Sequence, residues 1–147
     1  MNKAIGTFFM EEGILTKEQH DKVLEHARKN NRLFEEAMLE LHFVDEETLT
    51  PLLGLYRKIP FVDLQNYLID PVIGRIIPEH ISRRHLMISI NRVGNRLTIA
   101  MVDPTNIIAI DDVQLITGLI VKPVYGTRTA VMQALEEIFT RPVGVFS

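Results

Sequence analysis

Five histidines, His20, His26, His42, His80 and His85, are the side chains best suited to moving a proton or holding a metal near neutral pH. None stands in an H-E-x-x-H arrangement, which would set two imidazoles on one helix face, and none clusters in sequence with carboxylates. His20 reads as a half-buried helix residue rather than a metal ligand or proton shuttle. The adjacent Asp111 and Asp112 could be drawn as general acid and base. At the start of a helix, however, such carboxylates far more often face the dipole or the solvent. The basic run Arg83, Arg84, His85 lies close to Glu79 and reads as a solvated helix end, not a phosphate site. G-x-x-x-x-G-K-[ST], G-x-S-x-G and a Gly-rich dinucleotide loop are absent, so no catalytic residue is named and ATP hydrolysis by this chain is not expected. Cysteine is absent too, which excludes disulfides and thiolate chemistry, and no metal site is expected.

The elements that would have to position any site begin with an internal repeat. The pattern from Lys3 to Ala27 recurs from Arg32 to Tyr56 at an offset of 29, pairing Ile5 with Phe34, Phe9 with Met38, Ile14 with Phe43 and Val23 with Leu52. In the first copy Ile5, Phe8, Phe9 and Glu12 follow helical spacing and Gly13 ends the helix. Thr16 then caps a second helix, with Gln19 completing a capping box. In the second copy Asp45 is the cap ahead of Glu46 and Glu47, and His42 replaces Gly13. Neither helix pair can bury its apolar face alone, so the two should pack as one bundle of about four helices.

The grammar changes near Pro60, where β-rich runs begin to alternate with helical ones. Ile59 to Leu64 reads as a strand or extended lead-in, Asp70-Pro71 as a helix start, and Pro78 as the break before a short helix through Ser82 to His85. Leu86–Arg92 and Arg96–Val102 form a hairpin about the turn Gly94-Asn95. A largely buried helix containing Ile107, Ile108, Ile110, Val113, Leu115 and Ile116 follows, closed by Gly118. A third strand runs from Leu119 to Tyr125. A last helix from about Thr127 to Phe139 sets Val131, Met132, Leu135, Ile138 and Phe139 on one face. The expected class is α+β: a helical module at 1–58, a compact sandwich with a three-stranded sheet at 59–140, and a tail or linker start at 141–147.

Charge argues against a polynucleotide partner. Residues 1–58 carry 8 Lys or Arg against 11 Asp or Glu, and residues 59–147 carry 8 against 8, with no basic face in either half. No apolar run of roughly seven to fifteen residues follows Met1, Asn2 and Lys3, so a signal peptide is not expected. No segment reaches the roughly 18 apolar residues that a membrane helix needs. The expected compartment is the cytoplasm.

The stretch from Ile59 to Phe139 resembles the amino-terminal domain of the ATPases of type II secretion and type IV pilus assembly. The resemblance rests on Ile59-Pro60-Phe61-Val62-Asp63-Leu64, Ile76-Ile77-Pro78-Glu79, the run from Asn95 to Pro104, Ile110-Asp111-Asp112 and Thr117-Gly118, in the family's order and near its spacing. The repeat before Pro60 is similar to the helical module that precedes that domain. The resemblance implies a non-catalytic adaptor or regulator. It would dock its motor to the cytoplasmic part of an inner-membrane platform protein, peripheral to the membrane through that partner and joined to the remainder of an ATPase.

The same resemblance implies an alternative, a cyclic di-GMP sensor. In part of the family, duplicated helical motifs with an R-L-G start, an internal glycine and a final glutamine bind that messenger. The first copy here keeps the scaffold as Ile5, Gly6, Phe9, Met10, Gly13 and Ile14, but Ala4 and Ala27 stand at the Arg and Gln positions. In the second copy Leu33, Glu35, His42 and Tyr56 occupy the Arg, Gly, Gly and Gln positions, and a carboxylate at Glu35 suits a phosphate diester poorly. Lys3 and Arg32 lie one place earlier than the arginines, and one residue turns a helical side chain by about 100°. Close packing and helix termination are the roles these residues favour for the glycines. No cofactor is expected apart from cyclic di-GMP under the alternative.

Overall fold

The computed structural model describes residues 3–140, so the expected tail at 141–147 lies outside the described residues. The chain divides into two compact units, Met1–Tyr56 and Arg57–Ser147.

The first unit is built from α1 (Ile5–Glu11), α2 (Lys17–Asn30), α3 (Phe34–Glu40) and α4 (Glu46–Arg57). Its two helical pairs stop and restart by the same hydrogen bonds. After α1 the N–H groups of Gly13 and Ile14 donate to the carbonyls of Met10 (3.1 Å) and Phe9 (3.0 Å). After α3 those of His42 and Phe43 donate to Leu39 (3.0 Å) and Met38 (3.1 Å). This closure requires a left-handed residue, which Gly13 supplies at φ 77° and His42 at φ 59°. The second helices start as expected. Thr16 and Gln19 exchange side-chain and backbone hydrogen bonds, while the Asp45 carboxylate accepts the Thr48 N–H at 2.8 Å. The hydrogen bonds from Thr48 hold the Asp45 carboxyl below the usual aspartate range.

Phe9, Leu15, Val23, Ala37, Met38, Leu49 and Leu53 form the buried interior of this unit. The repeat is faithful through the first helices and turns, since Phe9 and its counterpart Met38 are both fully buried. It drifts in the second helices. Leu53 is buried where Leu24 is half exposed, and α4 is 12 residues long against 14 for α2 and carries an internal Pro51.

The second unit is α+β, as expected, with a three-stranded mixed sheet in the order β1-β2-β3. Short helices α5 (Pro71–Gly74) and α6 (Glu79–His85) lead into β1 (Met87–Val93) and β2 (Arg96–Met101). The pair is antiparallel. Val93 and Arg96 close a two-residue turn in which Gly94 takes φ 60°, the first-position glycine of a hairpin turn whose twist matches its strands. β3 (Ile120–Tyr125) runs parallel to β2, so α7 (Ile107–Thr117) is the crossover between them, and α8 (Arg128–Thr140) follows. Asn106 caps α7 by accepting the Ala109 N–H at 3.1 Å, and Gly118 ends it at φ 71°.

Alternation along the strands divides the core into two layers. Met87, Leu97, Ile99, Met101 and Val121 join Ile81, Ala109 and Val113 on the side of α6 and α7. Ile88, Ile90, Ala100 and Val124 join Val131, Leu135 and Ile138 on the α8 side. A register shift between Ser89 and Asn91 interrupts β1, and buried Ser89 satisfies its hydroxyl by donating to the Ile73 carbonyl at 2.6 Å.

Of the two alternatives for Ile59–Leu64 the extended lead-in holds: only Phe61 pairs, as an isolated parallel bridge to Tyr125, and the Asp63 carboxylate then draws the chain into a 3-10 turn at Leu64–Asn66. Three expectations are corrected. Met132 lies off the buried face of α8, whose inner row is instead Ala130, Val131, Ala134, Leu135 and Ile138. Asp111 and Asp112 stand beyond the first turn of α7, so the dipole alternative fails, while the solvent alternative holds for the exposed Asp111. The expected burial of α7 narrows to Ala109 and Val113, with Ile110 packed partly against the same layer, since one helix lying on a sheet turns only one side inward.

Candidate functional site

The scaffold residues named from the repeat occupy one helix and its exit turn. Gly6 and Phe9 are interior, Ile5, Met10 and Ile14 are half buried, and Gly13 is exposed. Gly6 answers a packing need. A Cβ built on it would lie 2.4 Å from the His20 imidazole and 3.3 Å from the Phe34 ring, so α1 approaches α2 and α3 through the missing side chain. Gly13 has nothing within 4 Å of such a Cβ, and its requirement is the backbone conformation alone.

The positions that would supply polar contacts are otherwise occupied. Tyr56, at the second Gln position, donates its hydroxyl to the Lys3 carbonyl at 2.5 Å and sets its ring 5.1 Å from that of Phe8. Leu33, at an Arg position, is exposed and carries no charge. The displaced cations are both paired: Lys3 with Glu11, and Arg32 with Glu40 at 3.3 Å. His26 approaches the same Glu40 at 3.5 Å. His20, the histidine weighed as a metal ligand, lies 3.2 Å from the Asp21 carboxylate and against the Phe34 ring. A hydrogen bond from Lys17, seconded by His20, holds the Asp21 carboxyl below the usual range. Among the described residues no three His, Asp or Glu side chains converge as a metal site would require.

The second unit carries an outward apolar surface that no motif marks in the sequence. On α7, Leu115 is 84% exposed, Ile108 74% and Ile107 68%, with Ile116 half exposed on the adjoining flank. Ile120, which opens β3 just after the helix, is also half exposed. Scattered single apolar residues are ordinary on a protein surface; five on one element and its exit are not. The sequence signal was present in the helix, because α7 carries large apolar residues on its outer side as well as its inner one, and a single sheet can use only one side of such a helix. Asp111 is exposed and Asp112 half buried along this outer surface, the latter 3.9 Å from the His85 imidazole. On the opposite side of the sheet a groove of about 860 Å³ runs between the Leu64–Pro71 segment and α8, with Asp70 and Glu137 at its walls and Leu68 almost wholly exposed.

Comparison with known proteins aligns with this architecture. A model of the MshEN domain matches residues 57–144, which spans most of the second unit. The type IV pilus assembly ATPase PilB of Myxococcus xanthus is 27% identical over 139 residues, covering 95% of this chain and 25% of that protein. PilB of Thermus thermophilus is 28% identical over 136 residues, covering 91% of this chain and 15% of that protein. The chain thus spans a quarter or less of these curated relatives. A solved structure of MshE with cdg superposes with a TM-score of 0.82 at 24% identity, over 93% of this chain and 99% of that one. The N-terminal domain of XpsE follows at a TM-score of 0.69 and 17% identity, over 92% and 97%. At these identities the structural likenesses speak to the fold.

Proposed function

This chain belongs to the MshEN domain family, and we propose that it is a non-catalytic adaptor of a type IV pilus or type II secretion motor. In this reading it docks an ATPase to the cytoplasmic part of an inner-membrane platform protein. The observation that carries the reading is the outward apolar face of α7, a surface that gains stability only when a partner covers it. The PilB relatives support the assignment to a motor. No helix among the described residues is long and apolar enough to cross a membrane, so attachment through a partner at the cytoplasmic side suits the chain. The test is association with the cytoplasmic domain of the platform protein. Binding at micromolar strength is expected, and no association at tens of micromolar removes the reading.

A second reading is favoured by one observation, the matched left-handed turns at Gly13 and His42, which keep the repeat's scaffold in both copies. MshE, a neighbour in fold, was solved with cdg, which we read as cyclic di-GMP. Ile5, Gly6, Phe9, Met10, Gly13 and Ile14 would then line a degenerate site for that messenger. The pairing of Lys3 and Arg32 with carboxylates weighs against it, since a phosphate diester would have to displace both. Calorimetry with cyclic di-GMP decides: heat that Gly6→Asp abolishes while the variant keeps its thermal unfolding transition supports the site, and no heat at high micromolar ligand eliminates it.

A further inference from the structure

The outer surface of α7 also specifies what kind of element can cover it. A strand is disfavoured, although β3 stands at the sheet edge next to this helix. The N–H groups of Ile120 and Gly126 point inward, donating to Asn95 at 2.7 Å and Met101 at 3.0 Å. The alternate residues face outward, and none offers a free donor. The Val121 N–H is taken by the Gln114 side chain at 3.0 Å, Pro123 has no N–H, and the Tyr125 N–H is bound by the Pro60 carbonyl at 2.8 Å. Strand addition needs those donors. What remains is a side-chain surface at helical spacing, in which Ile108 and Leu115 lie two turns apart on one row with Asp111 between them.

Charge narrows the partner further. α7 contains no Lys or Arg, and Asp111 forms no ion pair among the described residues. A partner that seals Ile108 and Leu115 from water also desolvates that carboxylate, which is costly unless a cation meets it. We propose that this face receives an amphipathic helix from the partner, with apolar residues at i, i+4 and i+7 and Lys or Arg opposite Asp111 and Asp112. The inference deepens the docking reading and rests on it for the identity of the partner.

The test titrates the full chain with two designed helical peptides that share one leucine pattern, one with Lys and the other with Glu at every polar position, followed by amide chemical shifts. The Lys peptide is expected to move the resonances of 107–120, with binding that weakens as salt is raised, and the Glu peptide to leave them in place. Leu115→Asp should weaken the Lys peptide at least about tenfold, and Asp111→Lys with Asp112→Lys should invert the preference between the peptides. Equal binding of both peptides, or shifts confined to other elements, overturns the inference. The same variants separate it from the broader reading. A platform domain that binds wild type and Leu115→Asp alike refutes the α7 surface and spares the docking role. A platform domain that binds neither, while the Lys peptide still selects α7, refutes the docking role and spares the surface.

Discussion

The two long helices of the second unit cover opposite faces of one sheet and use their apolar residues in opposite ways. α8 turns Ala130, Val131, Ala134, Leu135 and Ile138 inward and keeps Gln133, Glu136 and Glu137 outside. α7 is the richer in isoleucine, yet only Ala109 and Val113 are buried and Ile110 packs partly against the same core, while Ile107, Ile108 and Leu115 face out. Hydrophobicity and burial therefore come apart within a single domain. A helix divided cleanly into two faces is satisfied by its own sheet, whereas a helix with large apolar residues on both sides has a second surface left over. That surplus separates a packing element from a surface for a partner.

The contrast can be broken most sharply by shaving each helix in turn. Leu135→Ala removes a fully buried side chain from the α8 layer and should cost about 2–5 kcal/mol, read as lost hydrogen-exchange protection of the β2 amides. Val113→Ala, in the inner row of α7, should cost roughly 1–3 kcal/mol by the same measurement. A comparable cost for Leu115→Ser would show that α7 is buried on both sides after all; the expected change lies within about 0.5 kcal/mol.

Between the second and third of these in size falls a test in the first unit, where the contrast is between a residue and the place it holds. Gly13 and His42 share one turn geometry, but only glycine adopts it without a steric penalty. Gly13→Ala should lose about 1 kcal/mol and His42→Gly should gain about as much, in thermal unfolding of the full chain. Opposite signs at equivalent sites would establish that the repeat keeps the backbone conformation and not the residue. Equal signs would mean that the His42 side chain supplies something the glycine cannot.

Much of the first unit was legible because its signals are local. Gly13 ends a helix, Thr16 with Gln19 and Asp45 with Glu46 begin the next, and each acts within a few residues of itself. The hairpin at Gly94-Asn95 was legible for the same reason. The exposure of Ile107, Ile108 and Leu115 was not, because the apolar run reads alike whether one side or two are covered. The role of Gly6 was half legible. Its type announces a close approach, but that the neighbour is His20 depends on how α2 lies across α1. The resemblance implied vacated Arg and Gln positions, but not that Tyr56 had been turned to an internal hydrogen bond or that Lys3 and Arg32 had been claimed by Glu11 and Glu40.

By itself, then, the sequence determined the elements, their order and the duplication, since caps, turns and periodicity depend on neighbours a few residues apart. Tertiary structure alone decided which side of α7 meets the sheet and that the outward donors of β3 are taken by Gln114 and Pro60. Those outcomes depend on groups brought together from distant parts of the chain, where packing and hydrogen-bond competition choose among faces that the local pattern leaves equivalent.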